Sequence, residues 1–212
     1  MRVIIFDTET SGLPLLRNSP ITKSNEWPHI LQLSYIVFDD ETYRVIEEIN
    51  DYIKIDNTTV ITEGSSKIHN ITYDYLNKNG IPIIKALDKF IHHLLSCDIA
   101  VGHNVLFDKK MVLVECNRHN ISIRLDSTYC TMLNGINTCA IPQISKYGQT
   151  YFKYPKLSEL HNKLFNHDIS NLHDASIDIL VCLRCYCMLR LHIDICDKNR
   201  VISNRFKKIM IK

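Results

Sequence analysis

The chain has 212 residues, 45% of them apolar and 23% charged, with a formal net charge of +2. This is an ordinary globular composition with room for one substantial core, and its charge balance does not by itself announce a nucleic-acid binder. No apolar run is long enough to span a bilayer, and Asp7 and Glu9 interrupt any signal-peptide core, so an intracellular, non-secreted protein is expected, in the cytoplasm or with the nucleoid or nucleus. In such a compartment the Asn-x-Ser/Thr triplets at Asn57, Asn70 and Asn120 carry no glycan, and the eight cysteines are free thiols.

In chain order, "RVIIFD" (2–7) is a short apolar run and reads as a central strand. "SGLPLLRNSP" breaks it with glycine and two prolines and reads as a loop. "HILQLSYIVFD" (29–39) and "RVIEEINDYIKI" (44–55) read as two more strands, antiparallel neighbours of the first, and Trp27 just before them reads as a core or hinge aromatic. "PIIKALDKFIHHLLS" (82–96) has apolar residues at helical spacing: Ile84, Leu87, Phe90, Ile91 and Leu94. "DIAVGHN" (98–104) reads as a strand and turn, and "LFDKKMVLVECNRH" (106–119) as a helix. Residues 134–154 have weak periodicity and read as a loop with short pieces of structure.

Two further helices are expected, "KLSELHNKLF" (156–165) and a long one from about Ala175 to His192. Within the latter, Cys182, Cys185 and Cys187 read as buried thiols, because a zinc site would need a second close pair. Residues 198–212 carry Lys198, Arg200, Arg205, Lys207, Lys208 and Lys212 without an acid and read as a basic C-terminal tail after a domain spanning 1–197. Early hairpin-like strands followed by strand–helix alternation predict an α/β fold, a mixed β-sheet flanked by α-helices.

The chemistry begins at Asp7 and Glu9. Residues two apart on a strand share a face, so the two carboxylates project together from the end of an apolar strand. At about 4 Å two such charges repel by roughly 4 kcal/mol at an effective dielectric near 20. A hard divalent cation with oxygen ligands is the economical counter-charge. Asp108 follows the Gly102–Asn104 turn on the first turns of a helix. His173 and Asp178 are five apart, which is not a same-face helical spacing. His173 is therefore expected in the loop before the last long helix, with Asp178 inside its first turns and Asp174 capping or solvating its N-terminus.

With "FDTETSGLP", "GHNVLFD" and "HDASID" in this order, the sequence resembles a DEDDh 3′→5′ exonuclease of the DnaQ-like superfamily. The resemblance runs from Phe6 to Asp178 and takes in "KIHNIT" (67–72) and "KLSELHNKLF". It implies a ribonuclease H-like sheet and two divalent ions, Mg²⁺ or Mn²⁺. Asp7, Glu9 and Asp178 would hold one ion, and Asp7 with Asp108 the other. His173 would be the general base, an imidazole being suited to proton transfer near neutral pH. It also disfavours the tyrosine-type variant of the superfamily. By the same resemblance Ser11 and Gly12 would meet the terminal 3′ hydroxyl, Leu13 would wedge against the last base, and Asn104 would position sugar or phosphate. Relatives commonly have Thr where this chain has Ser11. His69 and His103 stay outside the catalytic set.

The implied substrate is a nucleic acid with a free 3′ end, DNA favoured over RNA, in proofreading or repair, with room for a polymerase or repair partner. The alternatives are an exoribonuclease and an inactive binding or accessory module on the same fold. Asp7, Glu9, Asp108, His173 and Asp178 are all present, which weighs against the inactive module.

Overall fold

The computed structural model describes residues 1–16, 18–169 and 172–209. β1 (Arg2–Thr10), β2 (Ile30–Asp39) and β3 (Arg44–Tyr52) form an antiparallel meander. The chain continues through α1 (Glu63–His69), α2 (Tyr73–Asn79), α3 (Ile83–Leu94), β4 (Ile99–Gly102), α4 (Val105–Arg118) and β5 (Thr128–Cys130). Strands β4 and β5 run parallel to β1, giving the five-stranded order β3-β2-β1-β4-β5. β1 is the central strand, as its unbroken apolar run predicts. A strand buried on both faces has no reason to alternate: Ile4 and Phe6 enter the core beneath α3 and α4, while Val3 and Ile5 enter the core on the other face.

That second face is covered by α7 (Leu157–Phe165) and α8 (Ala175–Tyr186), which follow α5 (Thr131–Asn134), α6 (Ile136–Cys139) and a small hairpin of β6 (Pro142–Ile144) and β7 (Thr150–Phe152). These short pieces fill the span read as irregular. α8 runs on as one π-helical turn, Cys187–Leu191, closed by His192 in the left-handed region, so the helical stretch ends where the apolar pattern ends. Cys182, Cys185 and Cys187 are buried in its core face. No helix among the described residues is long and apolar enough to cross a membrane.

The pattern does not announce α1, α2 or β5. The two helices have seven residues each and are started by the side chains of Thr62 and Thr72, which accept from the amides of Ser65 and Tyr75. With few buried side chains they show no apolar stripe, and β5 has only three residues.

The stretch read as a basic tail is also different in the structure. α9 (Ile195–Lys198) and α10 (Arg200–Ile209) pack on the α8 face, with Ile202 and Phe206 buried in the same core as Val3 and Ile5. Ile202 and Phe206 are four apart, one helical turn, and the basic residues between and after them hide that spacing in the sequence. A boundary after residue 197 therefore cuts through one core; Lys212 lies outside the described residues. Buried Arg184 of α8 ties the helices together. It donates to both carboxylate oxygens of Asp194, at 2.9 and 2.6 Å, and its guanidinium lies over the rings of Phe165 and Phe206. His161 of α7, stacked on Phe206, completes the cluster; burial pushes its imidazole down to about 4, so it is neutral and accepts from Arg184.

Phe206→Ala is expected to lower unfolding free energy by about 3–5 kcal/mol, the range for truncating a buried aromatic. Urea unfolding measures this; a solvated tail would give no change.

Candidate active site

β1, β4 and β5 end at the same edge of the sheet because they are parallel, and the acids gather at that edge. Asp7 and Glu9 sit on the β1 face that meets α8, opposite Ser34 and Gln32 of β2. Beyond Glu9 the pairing with β2 shifts register, and the chain leaves the sheet. Asp178, in the first turn of α8, comes down on the pair from above. One carboxylate oxygen from each of Asp7, Glu9 and Asp178 lies within 4.8 Å of the others.

Two side chains aim this arrangement. Thr8 points to the opposite face of β1, where its amide and hydroxyl both donate to Oδ1 of Asp108, at 3.1 and 2.7 Å. Asp108 is thereby fixed at the start of α4, buried, outside the trio but near enough to act on its charges. Gln32, buried opposite Glu9, donates to Asp174 and accepts from the amide of Ala175, so it docks the N-terminus of α8 on the sheet. Asp174 caps α8 through the Ser176 amide, as expected. Neither Thr8 nor Gln32 enters the sequence reading as a functional residue. The signal for Gln32 was there: with Ser34 it is polar in a strand buried almost end to end.

His173 lies just before α8, exposed, with its backbone in the left-handed region at φ 77°. Its amide donates to Oδ2 of Asp178 at 3.2 Å. The other oxygen, Oδ1, is buried with no hydrogen-bond partner among the described residues. A buried carboxylate oxygen left like this costs free energy unless something else satisfies it.

The crowding shows in the protonation equilibria. Burial first, then the charges of Asp108, Asp178 and Glu9, hold Asp7 well above the usual carboxylate range. Burial first, then the charges of Asp178, Asp108 and Asp174, push Glu9 up to about 8. Asp178 rises to about 7 through burial, and so does Asp108, against the opposing pull of the Thr8 bonds. Four acids thus compete for protons where, among the described residues, no basic side chain supplies counter-charge.

Around the acids the remaining residues take distinct places. Ser11 is buried; its N–H donates to His29, its C=O accepts from Thr62, and its hydroxyl accepts from His29. Gly12 is buried beside Thr62, whose methyl would meet an added Cβ at 3.0 Å. Leu13 is 78% exposed. With Phe107 it stands between two cavities. One, about 330 Å³, reaches Glu9, Thr10, Gly12 and His69; the other, about 580 Å³, reaches Trp27, Asn104 and Lys110. Asn104 is exposed and left-handed at the turn into α4. Trp27 is buried, held from behind where Glu115 and Arg118 of α4 bond the backbone of residues 24–30.

The sequence model of the exonuclease family, RNase_T, matches residues 4–186. The chain belongs to the exonuclease family. Among solved structures, Escherichia coli Exonuclease I in complex with a dA16 oligonucleotide superposes with a TM-score of 0.60 at 18% identity, over 97% of this chain and 43% of that one. The zinc-bound form of its complex with single-stranded DNA gives a TM-score of 0.63 at 18% identity with the same coverage. Exonuclease X in complex with 5′-overhanging duplex DNA gives 0.52 at 17% identity, over 92% of this chain and 98% of that one. At such identities the likeness is one of fold: the DnaQ-like, ribonuclease H-like mixed sheet flanked by helices. The chain spans less than half of Exonuclease I. No curated protein gives a significant match.

The raised carboxylates bind protons more tightly in the folded than in the unfolded chain, so folding stability falls as pH rises from about 4 through about 8. In EDTA the melting temperature is expected to drop across that window. Asp7→Asn should recover about 4 °C or more at pH 8, since 1 kcal/mol corresponds to about 2–4 °C at this size. A pH-independent melting curve would contradict the mutual repulsion of the acids.

Proposed function

We propose that this exonuclease-family protein is a metal-dependent 3′→5′ exonuclease of the DEDDh type that releases nucleoside 5′-monophosphates from DNA. The observation that carries the reading is the meeting of one carboxylate oxygen each from Asp7, Glu9 and Asp178 within 4.8 Å, together with a buried Asp178 oxygen that has no hydrogen-bond partner among the described residues. Hard oxygen ligands on a pre-formed anionic cradle fit Mg²⁺ or Mn²⁺. Asp7, Glu9 and Asp178 would hold one ion, and Asp7 with Asp108 a second. When bound, such ions supply charge neutralisation at the attacking and leaving oxygens of an in-line displacement. The zinc-bound state of Exonuclease I supports a metal, and the DNA in its complexes and in that of Exonuclease X supports DNA as substrate.

The chain's own residues do the rest. His173 takes the proton of the attacking water on a ring nitrogen, and its exposed loop gives the ring access to the phosphate. The water oxygen bonds to phosphorus as the bond to the 3′ oxygen breaks, and that oxygen takes a proton from solvent to end as the hydroxyl of the shortened strand. Thr8 and Gln32 act as positioning residues, holding Asp108 and the start of α8. The cavity beside Glu9 has the volume of a small-ligand site and would take the terminal nucleotide, with Gly12 at its sugar and Leu13 against its base. Ser11 would hold Gly12 in place, and Asn104 would reach the strand from the other side of Leu13.

With 5′-labelled single strands and Mg²⁺ or Mn²⁺, a ladder shortening from the 3′ end is expected on DNA, abolished by EDTA and by Asp7→Ala. The same ladder on RNA alone would move the substrate to RNA; no ladder on either would overturn the reading. His173→Asn, which suits the left-handed backbone, should lower kcat by about 10²–10⁴ with KM little changed. An unchanged kcat would remove His173 from the proton transfer.

A further inference from the structure

The hairpin β6–β7 belongs to none of the machinery above. It forms its own two-stranded sheet, with Pro142 opposite Phe152 and Ile144 opposite Thr150, closed by a turn in which Gly148 takes φ +79°. Both strands are solvent-exposed throughout. Ile144 is 71% and Tyr147 78% exposed, and Tyr151, Phe152 and Tyr154 stand out beside them. An isolated hairpin of this length is marginal in water, and one that offers five large apolar groups to solvent has a surface that calls for an occupant.

Its charge says what kind. Between Asp126 and Glu159 there is no acid, while Lys146, Lys153 and Lys156 interleave with the aromatics in "SKYGQTYFKYPK". Lys146 lies over the Tyr147 ring at 4.9 Å, and Lys153 pairs with Glu159. Flat rings spaced among lysines match a polyanion that carries stacked bases. A second copy of the hairpin would bring the lysines against one another.

Its place says which part of that polyanion. The hairpin closes at its base, where the Lys153 amide donates to Ile141. One step on, the carbonyl of Pro155 accepts from Nε2 of His103, whose Nδ1 meets Thr131. Burial pushes the His103 imidazole down to about 4, so it stays neutral and holds both bonds near neutral pH. β4 pairs with β1 in the register Val3–Ile99 to Ile5–Val101, and His103 directly follows its last residue, Gly102, at the sheet edge toward which β1 runs on to Asp7. The root of the hairpin is thus anchored just past the end of β4, the strand beside β1, at the edge of the sheet where the acids gather.

We infer that the β6–β7 hairpin is a track for single-stranded nucleic acid, stacking bases on Tyr147 and Tyr151 and meeting phosphate with Lys146, upstream of the 3′ end held at Asp7, Glu9 and Asp178. This rests on the exonuclease reading of that site. It predicts that substrate length matters: a strand long enough to reach the hairpin is held more tightly than a dinucleotide.

The test uses the full chain and the double variant Tyr147→Ala/Tyr151→Ala, whose side chains are exposed, with Tyr147→Phe/Tyr151→Phe as the stacking-competent control. On a single strand of about 20 nucleotides the alanine variant should lose roughly tenfold or more in kcat/KM, through KM, if each ring stacks a base. On a dinucleotide it should match the wild type, and the phenylalanine variant should match it on both. Lys146→Ala should lower the slope of log affinity against log salt by about 0.7. Fluorescence anisotropy with the labelled strand in EDTA reads the same losses without turnover. Equal affinity and equal length dependence in the alanine variant would overturn the track while leaving the exonuclease reading intact, and the hairpin would then belong to a protein contact. Weakened strand binding in the alanine variant, beside a wild type that hydrolyses nothing, would support the track and sink the exonuclease reading instead.

Discussion

Everything at the sheet edge follows from one electrostatic constraint: Asp7, Glu9 and Asp178 are held within 4.8 Å of one another, with Asp108 close behind. At that separation an ionised pair repels by on the order of 3 kcal/mol at an effective dielectric near 20. Among the described residues the fold does nothing to relieve this with a basic side chain. It spends hydrogen bonds on keeping the acids where they are, Thr8 on Asp108 and the His173 amide on Asp178. A protein that stabilised itself here would pair or neutralise these groups. Holding them in a strained, proton-hungry state is how a site prepared for a multiply charged guest behaves.

The supports are graded by distance from the acids. Nearest are Thr8 and Gln32, each reaching from the sheet to the first turn of a helix. Farther out, Glu115 and Arg118 fasten the segment that carries Trp27, and the Arg184–Asp194–His161 cluster fastens the last helices behind α8. The outer groups are paired and buried or half-buried, so they set positions without taking part in the charge crowding. His103 belongs to this outer set by its bonds, though it follows the end of the strand beside β1.

Much of this was legible in the sequence, for physical reasons. β1, β2, α3, α4 and α8 are long enough for burial to imprint a run or a stripe, and Asp7, Glu9, Asp108 and Asp178 interrupt those patterns where an element begins or ends. His173 falls in the loop before α8, as its five-residue offset from Asp178 requires. What stayed hidden falls into two kinds. α1, α2 and β5 bury too little side-chain surface to leave a period. α10 does bury Ile202 and Phe206, but these two among four basic residues read as solvated chain until the partners on α7 and α8 are seen. Ser11 belongs with them: no pattern reveals that its polar groups are spoken for by His29 and Thr62.

The split of β1 into two working faces also decides where this chain can change length. Asp7 and Glu9 serve the α8 side and Thr8 the α4 side, one residue out of phase. A single inserted or deleted residue in β1 before Asp7 would turn the acids toward α4 and Thr8 toward α8, exchanging charge for hydroxyl on both faces at once. Divergence within β1 is therefore confined to replacing side chains. The exposed residues after Leu13 and the turn around Gly148 bear no such phase, and they are where insertions and deletions can accumulate without disturbing the acids.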